Sequence, residues 1–500
     1  MPGSSASGTR VLRTDLFGFW LIVHILCWTA YATVSFYPGS IHHDMAEAFV
    51  WGQQWQFGYY KHPPFWAFVA ALWFKVWPQT DWSFYLLAMT NSALGMWGGW
   101  LVAGRYLSGE RRLAAVLLLQ FLPVFHFLAF KFNANSIFLS IWPFAIYFYL
   151  RLVEERRLVF AVALGVVCAV GLLSKYFFGV LLIAFVVLTL IDRERRALLA
   201  TPLPWIAGFI CLLGFSPHVV WMLQNGSPTL NYVSTIVRHD AMLSLRQIAV
   251  FMFAFLAFHS IAFLVFAAII NQPVATLMRA VDWWASSKER KHLFLLTVLP
   301  PLIAALIALV SGVRIDSNYA IGTIPLTTCV WLMTPGLELR PSAMRWLKKA
   351  AAGLMVGGLL LSPVISGAFF SLRIGDAEKP RKEIALLVND LWSAHVGRPL
   401  TLVSGSWRYA YTLAFYLPGN VAEFTDLSTK KAPWVTLERV AREGIVVVCE
   451  QDDSMCFNRA KAVLGTPVFS VPVGLSLQHF GMQGPVQHLM VLIYPPSDLI

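Results

Sequence analysis

The sequence predicts an all-α polytopic membrane protein of about 11 transmembrane helices, with interfacial helices in the first outer loop and a small C-terminal α/β domain outside the membrane. Three observations predict this. Of 500 residues, 58% are hydrophobic and only 13% charged, too little charge to cover the surface of a soluble globule. Apolar runs of about the 20 residues needed to cross roughly 30 Å of hydrocarbon recur up to residue 370. From about Gly375 the composition changes to short β-rich stretches set between helical patterns.

The runs fall at 16–37, 82–104, 112–130, 135–150, 158–174, 176–191, 203–222, 247–271, 293–311, 319–335 and 346–368. The first is longer than a typical signal-peptide core and AYATV is a weak cleavage site, so it reads as a retained signal anchor. Pro64 to Trp77 is too short to span and carries Lys75, which suits a helix lying in the interface.

Basic residues are retained on the cytoplasmic side. With the N-terminus inside, the inner segments hold 19 Lys and Arg and the outer ones, up to the last span, hold 7. An odd number of spans then leaves the C-terminal region outside. The net charge of +12 needs no nucleic-acid partner: residues 371–500 carry 12 basic and 12 acidic groups, so the excess lies in RYLSGERR, RLVEERR, DRERR and SSKERKH, topology signals against anionic lipid.

The predicted division is a transmembrane domain over 1–370 and an extracytoplasmic domain over 371–500. In the latter, PLTLVSG, YAYTLAFYLP and GIVVVCE read as strands, and KEIALLVNDLWSAH and WVTLERVARE as helices. Cys27, Cys168, Cys211 and Cys329 fall in spans as small hydrophobes. Cys449 and Cys456 close a short loop on the oxidising side, where a disulfide is expected, and no second pair supports zinc. There is no internal repeat and no phosphate-binding Gly loop, which argues against a pump driven by nucleotide hydrolysis.

The chemistry-bearing stretch is Ser40 to Trp66, SIHHDMAEAFVWGQQWQFGYYKHPPFW. Asp44 and Glu47 are three apart, hence on one helical face. His42 and His43 precede them, Lys61 and His62 follow the Gly58-Tyr59-Tyr60 turn, and Pro63-Pro64 stiffen the return to the membrane. A carboxylate held near cations at a water–lipid boundary suits deprotonation of a hydroxyl while a phosphate leaves. An ordinary solvated loop with aromatic interface anchors reads equally well from composition. Further cations stand at outer ends of runs: Lys131, Lys175, Arg238 beside His239, and Arg314 near Asp316. Any one of these could snorkel. Lys175 differs, because it interrupts an apolar stretch with almost no loop around it, and boundary charges of that kind are functional hypotheses.

The run from Asp44 through GYYKHPP resembles the first outer loop of GT-C-fold, polyprenyl-phosphate-dependent glycosyltransferases: protein mannosyltransferase relatives, the aminoarabinose transferases of lipid A and the core galacturonosyl transferases. Their bacterial members place an acid fourteen positions before the Gly of G-Y-Y-x-H-P-P, as Asp44 and Gly58 are spaced here. Gly171-Leu-Leu-Ser-Lys175-Tyr176 is similar to the family's G-x-x-x-L-(S/T)-K-Y segment, and Ser216-Pro217 with Trp221 and Asn225 to its S-P-x-x-x-W-x-x-x-N segment.

The resemblance implies an inverting transfer of one sugar from a polyprenyl phosphate to a lipid or glycan acceptor, such as a lipid A or core sugar, at the periplasmic face of a bacterial inner membrane. It implies Asp44 as general base, with Glu47 as a second carboxylate. Lys175, Lys61 and His62 would meet the donor phosphate, joined by Lys131 and Arg238. Three departures stand out. Many relatives have two adjacent acids where this chain has Asp44-Met45. Where relatives often carry an acid opening the fourth span, this chain reads Phe132-Asn133-Ala134-Asn135, which argues against a metal, and no cofactor is expected. Near the tenth span a common His-Trp pair is Asn318-Tyr319, suggesting a different sugar or acceptor. A secondary transporter is disfavoured because the polar groups gather at one membrane face rather than at the midplane of paired halves; a non-catalytic assembly or binding protein stays open.

Overall fold

The computed structural model describes residues 5–237, 240–270, 274–275, 278–279 and 287–499. The helices are α1 (Ser5–Ser35), α2 (His43–Gly52), α3 (Phe65–Trp73), α4 (Asp81–Tyr106), α5 (Gly109–Leu119), α6 (Phe138–Glu155), α7 (Leu158–Ser174), α8 (Gly179–Ile191), α9 (Arg193–Arg196) and α10 (Leu203–Gln224). They continue as α11 (Pro228–Thr235), α12 (Ala241–Ala257), α13 (Ser260–Ile269), α14 (Lys288–Ser311), α15 (Thr327–Leu332), α16 (Pro341–Ser371), α17 (Arg381–Val396), α18 (Trp407–Tyr416), α19 (Leu437–Glu443) and α20 (Ser454–Leu464). The strands are β1 (Leu402–Gly405), β2 (Ala422–Thr425), β3 (Ile445–Glu450), β4 (Phe469–Leu475), β5 (Gln478–His479), β6 (Met482–Gln483) and β7 (Gln487–Tyr494).

Among the described residues five helices are long and apolar enough to cross a membrane: Leu16–Ser35, Leu203–Gln224, Ala241–Ile269, Lys288–Ser311 and Pro341–Ser371. A sixth is added if the pair Tyr176–Ile191 and Arg193–Ala200, bent by 102°, counts as one. The predicted runs 112–130 and 319–335 do not form continuous helices. The run 112–130 stops as helix at Leu119 and turns through a 3-10 segment opened by Pro123. The run 319–335 is a 3-10 segment, Ser317–Thr323, followed after Pro325 by the six-residue α15. Proline removes a backbone donor and ends helical pairing in apolar sequence that otherwise reads as a span.

The chain forms two compact units. The first comprises Met1–Thr29, Lys61–Phe65 and Leu86–Leu359. One buried polar network in it joins three elements: His24 shares hydrogen bonds with Gln120 (2.9 Å) and Ser92 (3.1 Å), tying α1, α4 and the end of α5. Such internal pairing is what hydrocarbon demands of polar side chains. At another end of this unit Asp192 joins Lys288 (3.3 Å) and His292 (2.9 Å), linking the α8–α9 turn to α14.

The second unit comprises Ala30–Tyr60, Trp66–Tyr85 and Leu360–Ile500. Its five-stranded sheet has the order β2-β1-β3-β7-β4, with β1 parallel to β2 and β3, and β7 antiparallel to β3 and β4. The β-branched run of β3 is buried on both faces, as a central strand requires. The edge strand β4 alternates between partly buried and exposed positions and carries Pro472, which costs little only at an edge. Cys449 and Cys456 form the expected disulfide, Cα to Cα 5.7 Å, fastening α20 to β3.

Two expectations are corrected here. YAYTLAFYLP is not a strand but the helix α18, because parallel β1 and β2 need a crossover and a helix supplies it. Its residues Tyr409 to Phe415 are all buried, so polarity marked no helical face in the sequence. The predicted break at 370/371 also shifts, since the first outer loop folds with the C-terminal segment: Ile41 N–H donates to Tyr416 Oη at 2.8 Å, and Phe49 meets Phe415 edge-on at 5.2 Å. Gly52 permits the close contact of α2 with α3, for a Cβ there would lie 2.3 Å from the Ala67 carbonyl oxygen.

Candidate functional site

In the first unit, α7 ends at Ser174 and Lys175 takes up extended backbone before a 3-10 turn, Tyr176–Phe178, leads into α8. Gly171 makes the turn feasible: the Phe178 ring lies where its Cβ would be, 2.5 Å away. The Gly-to-Lys spacing of the motif thus folds an aromatic back on the helix and leaves the lysine side chain between two helices.

Lys175 Nζ donates to Asn135 Oδ1 at 2.7 Å and stands 3.8 Å from the centre of the Tyr319 ring. Asn135 is presented by a turn that Asn133 builds, its Oδ1 accepting the N–H groups of Asn135 (2.8 Å) and Ser136 (3.0 Å). Tyr319 sits on the 3-10 segment capped by Asp316, whose Oδ1 accepts from Asn318 N–H at 2.9 Å. The second motif braces the first: Tyr176 Oη and His218 Nε2 are 2.6 Å apart, Trp221 stacks on His218, and Asn225 Nδ2 donates to the Trp221 carbonyl at 2.8 Å where α10 ends.

Lys61, His62 and Lys175 line one cavity of about 400 Å³ with Tyr176, Phe177 and Tyr319. Its remaining wall is apolar, from α8, α11 and α14 and including Val180, Ile183, Leu230, Ile236 and Ile307. Three of the expected phosphate-side groups therefore line one cavity whose other walls are mostly apolar. Lys131 is exposed and does not line this cavity, which corrects its expected role there. Arg238 lies outside the described residues.

In the second unit, His42 caps α2, its Nδ1 accepting the Asp44 N–H at 3.2 Å. The Asp44 carboxylate lies in the first turn, where the helix dipole favours an anion, 3.3 Å from His43 Nε2 and 3.7 Å from His42 Nδ1, with a third of its side chain exposed. His43 in turn meets the Trp407 ring edge-on at 4.5 Å. His42, His43 and Asp44 are the one grouping among the described residues able to hold a metal ion, with ligand atoms within 4.8 Å of one another. That spread is wider than the roughly 3.3 Å between ligands of a tetrahedral site with bonds of about 2 Å, and His42 Nδ1 already serves as helix cap.

Glu47, expected as a second reacting carboxylate, is 3% exposed and hydrogen-bonded to Tyr411 of α18. Beside it Glu423 of β2 is 1% exposed, its Oε2 accepting the Thr425 N–H at 2.6 Å and the Thr425 hydroxyl. Burial, with the like charge of Glu47 adding to it, pushes the Glu423 carboxyl up to about 7. The pair belongs to the interior joining α2, α18 and β2, where Glu47 is buried. Sequence reasoning missed Glu423, Tyr411 and Trp407, which no spacing rule links to Asp44. It also missed Asn135 and Tyr319 as partners of Lys175, although both stand at noted departures from the family pattern.

The fold and parts of the sequence are similar to those of known proteins. A family model, dolichyl-phosphate-mannose-protein mannosyltransferase, matches residues 61–221, a stretch running from Lys61 to Trp221. The structure is similar to that of ArnT from Cupriavidus metallidurans bound to undecaprenyl phosphate, with a TM-score of 0.60, 14% identity, and 97% of this chain and 98% of that one covered. The apo form of the same enzyme gives a TM-score of 0.56 at 15% identity, covering 98% of both chains. In sequence the chain is 26% identical over 269 residues to the lipopolysaccharide core galacturonosyltransferase RgtA of Rhizobium johnstonii, over 51% of this chain and 53% of that protein. The match thus spans about half the length of that relative.

Proposed function

We propose that the protein transfers a single sugar from a polyprenyl phosphate to a lipid or glycan of the cell envelope, at the periplasmic face of a bacterial inner membrane. The observation that carries this reading is that Lys61, His62 and Lys175 line one cavity whose other walls are mostly apolar. A polyprenyl phosphate has a hydrocarbon tail and an anionic head, and that groove offers a counterpart for each. Lys175 donates to a neutral amide, and among the described residues no carboxylate pairs with it, so a phosphate would meet its charge. The ArnT structure named for its bound undecaprenyl phosphate supports the same class of donor.

In the proposed step the Asp44 carboxylate takes the proton of an acceptor hydroxyl as that oxygen attacks the anomeric carbon. The bond from that carbon to the phosphate oxygen breaks on the opposite face, giving inversion, and the polyprenyl phosphate leaves with its added charge stabilised by Lys175, Lys61 and His62. Eleven crossings, with the N-terminus inside and the sheet outside, complete the reading. No metal is part of it, and chelation is expected to leave transfer unchanged; loss with EDTA and rescue by Zn²⁺ would make His42, His43 and Asp44 a metal centre instead.

The test is Asp44→Asn. Losing a general base is expected to slow transfer by about 10²–10⁴-fold while insertion and thermal unfolding stay as in the parent. Mass spectrometry of envelope glycans, with and without the gene, would supply the mass of the sugar. Undiminished transfer by Asp44→Asn sinks the mechanism.

A further inference from the structure

A second cavity, of about 530 Å³, lies within the second unit, inside the roughly 300–1,000 Å³ typical of ligand sites. It differs in kind from the groove at Lys175. Its polar groups include the Gln79 amide, the Asp81 carboxylate, the Lys382 ammonium and the Tyr416 hydroxyl. Asp81 Oδ1 accepts the Tyr416 hydroxyl at 2.8 Å, which fixes the carboxylate plane, and Oδ2 has no hydrogen-bond partner among the described residues. Lys382 feels the charge of Asp81, yet no ion pair joins them.

A carboxylate and an ammonium facing one cavity without meeting favour a neutral ligand that donates to one and accepts from the other. Opposite charges cancel, so a phosphate gains nothing here. Adjacent hydroxyls do both jobs at once. Aromatic rings complete the lining: Tyr37 is 64% exposed and Trp82 40% exposed, while Tyr85 is buried. Convergent polar groups set among aromatic faces are the usual makings of a specific small-ligand pocket.

We infer that this cavity binds a neutral sugar ring of the acceptor glycan, held through its hydroxyls by Asp81, Lys382 and Gln79. The acceptor assignment rests on the transferase reading; sugar binding itself does not. Tyr416, which holds Asp81, also accepts the Ile41 N–H at 2.8 Å. Ile41 is three residues before Asp44, a separation of at most about 11 Å at 3.8 Å per residue. A sugar against Tyr416 therefore sits beside the strand of chain that leads into the base-bearing helix, which suits an acceptor of more than one sugar unit.

The test uses the full-length protein in nanodiscs and saturation-transfer NMR with methyl α-D-mannoside, methyl α-D-galactoside and methyl α-D-glucoside as probes, and inorganic phosphate as competitor. At least one hexoside is expected to bind, unaffected by phosphate. Lys382→Ala, at an exposed helical position that tolerates alanine, and Asp81→Asn should each weaken it about tenfold or more. Asp44→Asn should leave it unchanged, so a failure of the transferase mechanism cannot be mistaken for a failure here. Absence of hexoside binding in the parent, equal binding in parent and Lys382→Ala, or displacement by phosphate each overturns the inference.

Discussion

Glu423→Gln offers a quantitative test of how α2 is held. The Glu423 carboxyl is fully enclosed, and burial first, then the nearby Glu47 charge, raise it from 4.5 to about 7 against the opposing hydrogen bonds of Thr425 and Trp51. The folded protein therefore holds this proton more tightly than the unfolded chain. Stability from it is complete below pH 4.5, falls as pH rises toward 7, and is flat above. A shift of that size at 1.36 kcal/mol per unit is worth about 3 kcal/mol. The glutamine amide resembles the protonated acid and its oxygen can still accept both Thr425 bonds.

The local opening free energy of the β1 and β2 amides, read by native-state hydrogen exchange on the full-length protein and corrected for intrinsic rates, is the quantity to follow. The parent should lose about 3 kcal/mol between pH 4.5 and pH 8, and Glu423→Gln should lose little of it. Glu47→Gln should shrink the parent's slope, because the like charge is gone. Facing the pair are Tyr411 of α18, Thr425 of β2 and Trp51 of α2, all neutral over this range, so the slope belongs to the two carboxyls. Parallel pH profiles for parent and Glu423→Gln would refute the reasoning.

Three further outcomes are expected. Asn135→Asp places a carboxylate against Lys175, and pairing there should raise the KM for the polyprenyl-phosphate donor about tenfold, the scale of one charge-assisted hydrogen bond; an unchanged or lower donor KM would contradict the reading of Lys175 as a phosphate ligand. Tyr176→Phe deprives the buried His218 ring of its 2.6 Å partner, and should cost about 1–3 kcal/mol, seen as a lower thermal midpoint in detergent. Replacing Cys449 and Cys456 together by serine opens a loop of sequence separation 7, and the loop-entropy relation gives about 2.5 kcal/mol, to be read as faster exchange of the β3 amides.

The sequence carried the membrane class, the polar outer loop and the unusual position of Lys175, because each rests on local chemistry: apolar length, charge bias, and a cation where hydrocarbon should be. Lys61, His62 and Lys175 could be grouped from motifs and do share a cavity. What pattern reading lacked was three-dimensional partnership. Glu47 and Asp44 look alike at three-residue spacing, yet one is buried against Tyr411 and the other remains a third exposed. That difference depends on α18, some 360 residues away, which itself reads as a strand because it is apolar on every side.

The departures from the family pattern acquire a common physical sense around Lys175. Had position 135 been acidic, the lysine would have a counter-ion at 2.7 Å and little field left for a phosphate at low effective dielectric. Asparagine accepts that contact without a charge of its own, and the Tyr319 ring face at 3.8 Å supports a cation without neutralising it. Two neutral groups therefore hold one cation in the wall of a mostly apolar cavity. Under the proposed function a lipid phosphate would meet this cation, and the same departures that read as losses in the sequence would then favour donor capture.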